Sequence, residues 1–549
     1  MIRRWRVVSQ TVFFLLFLFL LMRTQYAGSD ELRMPVKTLL EIDPLHFLTT
    51  LLATRAVAGL LWLALITLAL TFVFGRFFCG WVCPLGVLVL LAHKLPVRRR
   101  ADVLATNRWH PSQNIKVYLL VALLAAALFG LEWSGLLDPL SIYVRSVGLV
   151  VLPAIELGAR HLFDALYRHD ILGLSRVSEP LFTWLQGRAF AFHQPRFEQT
   201  FVFGLVLVAI LALGFARRRF WCRTLCPLGA LLGLVARAGL FRIRQSDGCR
   251  ACSRCTFDCQ GAAEPEVTGG WRASECLVCG NCLAACPDGS LAMGFGRPML
   301  ARRPRAQRMP ADGRQPAHVA ARARRNSSAP SPGPRMERRH FLLAGLAGVA
   351  AVPLVRLDDG ESRANAALIR PPGSLAEREF LGRCVRCGEC MKVCLTNGLQ
   401  PTFLEAGVEG MWTPRLDARI GYCEYQCTLC GQVCPTQAIR RLLVEEKKRV
   451  RIGLAHIDPG RCLPYAFQKT CIVCEEHCPL PVKAIWFEEV EVRDHQGGRR
   501  TVKQPRVDPE LCTGCAICEN KCVVRDLPAI RVTSANEDRN PDNRVLLGG

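Results

Sequence analysis

The sequence predicts an α-helical membrane domain of four spans, with an internal pseudo-two-fold repeat, joined to small α+β domains built around 4Fe–4S clusters. Three observations predict it. Half of the 549 residues are hydrophobic and only 21% are charged, a balance that suits a membrane part joined to a soluble part. Apolar runs close to the length needed to cross hydrocarbon crowd the first 245 residues. Of the 28 cysteines, 24 fall in six runs of four and the other four in two Cys-x3-Cys-Pro motifs. None is left over for a disulfide framework.

The first element is an apolar run from Thr11 to Met22, preceded by Arg3, Arg4 and Arg6. No small-x-small site follows closely, so it reads as an uncleaved span rather than a secretory signal. An acid-tinged loop follows, with Asp30, Glu31, Glu41 and Asp43. The second, third and fourth spans are Ala56 to Phe78, Ile115 to Trp133 and Thr200 to Ala216, each near the roughly 20 residues a bilayer requires. Lys94, Arg98, Arg99 and Arg100 follow span two, and Arg217, Arg218 and Arg219 follow span four. The positive-inside rule makes these sites and the N-terminus cytoplasmic. The segment Ile142 to Leu157 is apolar but interrupted by Arg145 and Pro153, and reads as interfacial or re-entrant.

The membrane part repeats itself. Arg76-Phe77-Phe78-Cys79-Gly80-Trp81-Val82-Cys83-Pro84-Leu85-Gly86 echoes Arg219-Phe220-Trp221-Cys222-Arg223-Thr224-Leu225-Cys226-Pro227-Leu228-Gly229. Upstream of each stands an Asp-Pro-Leu, at Asp43 and at Asp138. Parallel repeats of this kind place a two-fold axis along the membrane normal, with the two cysteine pairs facing each other. Cys79, Cys83, Cys222 and Cys226 then suit an additional iron–sulfur centre, a dithiol couple, or plain packing of small apolar side chains. Asp43 and Asp138 are candidate proton acceptors, or helix caps before proline.

Next come Cys249-x2-Cys252-x2-Cys255-x3-Cys259 and Cys276-x2-Cys279-x2-Cys282-x3-Cys286-Pro287. Two such runs are the ligand pattern of a two-cluster bacterial ferredoxin, in which the fourth cysteine of each run crosses to the other cluster. A zinc ribbon uses pairs of cysteines rather than unbroken runs of four. Gly294 to Arg335 is rich in Arg, Pro, Ala and Ser and lacks apolar periodicity, so it is expected to be disordered. Arg338-Arg339-His340-Phe341-Leu342, an apolar run to Val355 and Ala364-Asn365-Ala366 come after it. They form either a twin-arginine export signal or a fifth span; both place the C-terminal part of the chain outside.

Four more runs close the chain. They are Cys384, Cys387, Cys390, Cys394; Cys423, Cys427, Cys430, Cys434; Cys462, Cys471, Cys474, Cys478; and Cys512, Cys515, Cys518, Cys522. Together they imply four clusters, six in the whole chain. Runs one and four are expected to exchange their last cysteines, and runs two and three likewise; sequential pairing is the alternative. The resulting domains are 1–245 membrane, 246–296 cytoplasmic two-cluster, 297–335 linker, 336–366 signal-like segment or fifth span, and 367–549 periplasmic four-cluster. No histidine lies inside the four spans and no Cys-x-x-Cys-His occurs, so haem is not expected. The net charge of +24 comes from the linker and the span flanks with no nucleic-acid module beside it, so nucleic acid is not an expected partner.

On these motifs, residues 1–296 resemble the NapH/MauN membrane ferredoxin-type proteins of quinol dehydrogenases. Residues 336–549 resemble their exported NapG/MauM partners, with Met336 where a second chain would start. The related NosR group carries an exported flavin domain, for which there is no room before span two, so no flavin is expected. The CcoG group lacks the twin-arginine module. The resemblance implies a quinol dehydrogenase component of the bacterial inner (cytoplasmic) membrane. It would pass electrons from quinol to a periplasmic partner, the nitrate reductase system or a cytochrome c. A maturation or redox-support factor and a methylamine-type electron route are the alternatives.

Overall fold

The computed structural model describes residues 2–26, 28–32, 36–57, 59–93, 104, 106–169, 175–185, 190–191, 194–246, 249, 252–266, 271–296, 338–356, 365–493, 498–540 and 543. The expected linker lies outside the described residues. The principal helices of the apolar part are α1 (Ile2–Arg23), α2 (Pro44–Thr54), α3 (Ala64–Phe74), α4 (Pro84–Ala92), α5 (Ile115–Leu128), α6 (Pro139–Ser146), α7 (Leu152–His169), α8 (Thr200–Ala216), α9 (Pro227–Ala238) and α10 (Arg338–Arg356). Among the described residues, four stretches are long and apolar enough to cross a membrane: Ile2–Arg23, Pro111–Leu128, Pro139–Arg168 and Arg338–Arg356.

Two of the four expected spans are redrawn. Ala56 to Phe78 is broken: Arg55 ends α2 in the left-handed region, a 3-10 turn runs over Leu61–Leu63, and α3 stops at Gly75 with φ 73°. Thr200–Ala216 is helical but falls just below that length. In contrast, Ile142 to Leu157 lies in an unbroken helical run. Pro153 lies inside this run, directly after a π-turn over Val147–Val151, where the widened helix accommodates the N–H that proline lacks. The Arg145 charge is housed rather than solvated. Its guanidinium donates to the Arg386 carbonyl at 2.7 Å and lies 4.5 Å from the Trp412 ring.

The acid-tinged loop is also more than a loop. Pro44 at the first turn and Asp43 at the cap start α2, which buries Leu45 and His46 completely. The bundle core forms around Phe17, Leu21, Leu45, Leu85, Leu140, Tyr143 and Leu228.

The cysteine-rich parts are small α+β units. β1 (Phe241–Gln245) and β2 (Leu291–Phe295) pair antiparallel and bracket residues 249–286. Further on, β3 (Leu399–Pro401) pairs with β4 (Pro414–Leu416). β5 (Leu454–Ile457) pairs with the late β8 (Ile530–Thr533), and β6 (Ile485–Arg493) with β7 (Arg499–Val507). The two units meet opposite ends of α1 and α5. At the start of α1, Ile2 packs on Gly280; beyond its end, Lys392 donates to the Thr24 carbonyl at 2.8 Å. Lys116 in the first turn of α5 pairs with Glu275 at 2.5 Å, while Arg386 of the other unit donates to the Glu132 carbonyl just past its last turn. A 22-residue helix is about 33 Å long, so the two units stand about a bilayer thickness apart.

Candidate redox centres

Among the described residues, four cavities in the α+β units are each lined by four cysteines. The first three cysteines of one run meet the last of another every time. Cys276, Cys279 and Cys282 share a cavity with Cys259. Cys384, Cys387 and Cys390 share one with Cys434, and Cys423, Cys427 and Cys430 share one with Cys394. Cys462, Cys471 and Cys474 share one with Cys522. Of the remaining cysteines, Cys512 and Cys515 lie close enough to Cys478 to feel its charge, and Cys518 lies close to Cys512 and Cys515. Cys255 packs with Cys286 and senses Cys249, and Cys252 is exposed.

The exchange expected between runs one and four, and between two and three, is therefore corrected. Runs one and two form one pair, and runs three and four the other. Strand pairing is the cause: β3 and β4 lie in the segment between runs one and two, and β5 and β8 close runs three and four into one unit. Cys462 lines its cavity despite the long gap to Cys471.

The chemistry of these pockets suits soft cations. Burial pushes the thiols of Cys427 and Cys515 up to about 12 and that of Cys462 up to about 11, with neighbouring thiols adding to the effect. A bound iron displaces such protons and supplies the missing positive charge. Backbone N–H groups aim at the sulfurs, from Ala263 to Cys259 at 3.3 Å and from Ile439 to Cys434 at 3.4 Å. Such bonds tune cluster potential.

Cys79, Cys83, Cys222 and Cys226 also converge, close enough to sense one another's charge. Each pair spans a π-turn, Phe78–Val82 or Trp221–Leu225, and ends where the next helix begins with proline. Two buried arginines cross between the halves. Arg219 donates to the Cys79 carbonyl at 3.1 Å, and Arg76 packs against Gly229 beside Cys226. Arg219 Nε and Nη2 and Arg76 Nε are buried with no hydrogen-bond partner. Orphaned cationic groups beside four thiols fit an anionic centre. The unit at residues 249–286 docks directly here: Trp81 Nε1 donates to the Val278 carbonyl at 3.0 Å.

Asp43 and Asp138 are both helix caps. Asp43 accepts from Leu45 N at 2.7 Å, and Asp138 from Leu140 N and Ser141 N at 2.8 Å. Between them stands His46, with Nε2 3.3 Å from Asp138 and 2.9 Å from the Ser141 hydroxyl. Glu132 joins through Ser134, and its carbonyl accepts from Arg386. Sequence reasoning missed His46 and Glu132. The only available signal for His46 was its place one residue after Asp-Pro-Leu; Glu132 had none.

Proteins of similar sequence fit this arrangement. The family described as "4Fe-4S binding domain" matches residues 56–101 and 199–246, the segments that hold the two Cys-x3-Cys-Pro motifs. The methylamine utilization ferredoxin-type protein MauM of Methylorubrum extorquens is 35% identical over 91% of its length and 37% of this chain. The ferredoxin-type protein NapG of Escherichia coli is 36% identical over 86% of its length and 36% of this chain. An uncharacterized protein of Methanocaldococcus jannaschii is 24% identical over 94% of its length and 53% of this chain. No solved structure matches.

Proposed function

Because the chain belongs to the NapG/MauM family of ferredoxin-type proteins, here joined to an apolar helical part, we propose that it oxidises membrane quinol and passes the electrons through 4Fe–4S clusters to a periplasmic partner. The observation that carries this reading is the run of cysteine pockets leading away from the bundle. The Cys384 pocket touches the bundle through Arg386 and Gly388, which packs on Leu149. The Cys423 pocket is tied to it by the exchange of Cys394 and Cys434. Cys423 N donates to the Cys515 carbonyl at 2.9 Å, joining the second pocket to the next. The Cys462 pocket ends the series, with Phe467, Ile472 and Val523 exposed around it. Electrons enter at the bundle end and leave at the exposed end.

In this reading the 24 cysteines of the six runs ligate six clusters, and the four membrane cysteines hold a seventh centre between pseudo-two-fold halves. The two matches to one family support that repeat. Residues 249–286 face the cytoplasm and 367–549 the periplasm. Asp43 and Asp138 act first as caps, with His46 between them to pass a proton. The Arg338–Arg356 helix stays as an anchor rather than being cut away. Gly348 packs so closely on α5 that a Cβ there would clash with the Ala122 carbonyl, and the Ala366 carbonyl accepts from Ser534 N at 2.8 Å. The acceptor belongs to a nitrate reductase system, by likeness to NapG. A methylamine route is the second reading, favoured by the equal likeness to MauM.

The test mixes oxidised full-length protein with a reduced quinol under anaerobic conditions and follows cluster reduction by EPR. Reduced-cluster signals are expected. Their absence assigns the protein to a maturation or redox-support role instead.

A further inference from the structure

One cavity stands apart from the cysteine pockets and the caps. It has a volume of about 480 Å³ and lies between α1, α4, α6, α7 and α8. Its walls are apolar, with Phe14, Leu88 and Leu211 among them. Ligand pockets of this size with few convergent polar groups suit a small organic molecule. The polar groups are unevenly placed. Gln25, Glu156 and Lys392 gather at the end where α1 meets the Cys384 unit. The Tyr143 ring closes the deep end; its side chain is fully buried, so the hydroxyl does not face the open space. Lys392 lies between Cys390 and Cys394 in sequence, within about 7 Å of backbone from each. Its stem packs against Gly148, where a Cβ would come within 3.2 Å.

We propose that this cavity binds the quinol ring, with a ring oxygen facing Lys392 and Glu156 and the prenyl chain along the apolar wall. The inference rests on the quinol reading above and adds where the ring sits. Oxidation turns the ring from quinol to quinone and releases two electrons and two protons. The electrons leave one at a time towards the 4Fe–4S pocket that Lys392 adjoins. The two protons leave in turn through the Glu156 carboxylate, which Arg160 holds at 2.7 Å and which passes the first to water before taking the second. No electron needs to cross the bilayer through protein, because the cavity lies beside the unit that holds the pocket of Cys384, Cys387, Cys390 and Cys434.

The test is equilibrium binding of decyl-benzoquinone and decyl-naphthoquinone to the full-length protein in detergent, measured by calorimetry. Wild type is expected to bind one of them. Lys392→Met is expected to weaken binding about tenfold, one hydrogen bond's worth, with iron content retained. Leu211→Trp, filling the apolar wall, is expected to abolish binding with iron content retained. If wild type binds and both variants bind equally well, the cavity is overturned and the quinol reading stands. If wild type binds neither quinone and quinol reduces no cluster, both fall together.

Discussion

Glu377 sits between two guanidiniums, 2.5 Å from Arg370 and also paired with Arg539. Burial by itself would raise its carboxyl, but the Arg370 and Arg539 charges outweigh burial and hold it down to about 2, against an ordinary 4.5. The folded state therefore favours the ionised form. Its contribution is fully present above about pH 4.5 and is lost as the pH falls through about 2. Acid unfolding of the unit of residues 367–549, followed by circular dichroism, is expected to show this loss. Glu377→Gln should destabilise the unit at neutral pH by about 3–5 kcal/mol, leaving the buried Arg370 without a carboxylate and Arg539 with Glu537 alone, and should flatten the acid limb. An acid limb unchanged in the variant would assign the titration elsewhere. At this scale the cysteines were legible from spacing alone. The buried set of His46, Glu132 and Arg145 was not, because each stands singly and its partners lie up to 254 residues away.

Elements were legible where one property dominated. α1 and α5 follow their apolar runs, and α6 begins where Asp138-Pro139 predicts a cap and a first turn. The pairing of the cysteine runs was not legible. Their internal spacings are closely alike, and the choice of partner is made by strand pairing between distant segments. The Arg338–Arg356 helix lies along α5, with Gly345 near Val121 and Gly348 against Ala122, the close small-residue approach common between membrane helices. Arg356 secures its far end on Glu409 at 2.9 Å. Gly348→Val should lever this helix off α5. Limited proteolysis of detergent-solubilised protein is then expected to cut the chain near Arg356 several times faster than in wild type. An unchanged cleavage rate would mean that the helix does not depend on this contact.

At the scale of the whole molecule, two cysteine-rich units stand at opposite ends of one bundle. The four-thiol site lies against the 249–286 unit, and the 480 Å³ cavity opens beside the 384–434 pockets. Six clusters of four irons give about 24 irons per chain, and a seventh at Cys79, Cys83, Cys222 and Cys226 raises the count to about 28. Iron and acid-labile sulfide assays on the intact protein are expected to find the higher number, falling by about four in Cys83→Ser. On the proposed function, this division gives the 249–286 unit a role off the direct path: it would exchange electrons with the four-thiol centre, while quinol would feed the clusters of residues 384–522 from the other end.

The most direct measurement of that claim is freeze-quench EPR of the oxidised full-length protein mixed with decyl-naphthoquinol, comparing wild type with Cys282→Ser, which disables the 249–286 unit. The account predicts that the clusters of residues 384–522 are reduced at the same rate in both. Loss of their reduction in Cys282→Ser, or no reduction in wild type, would contradict it.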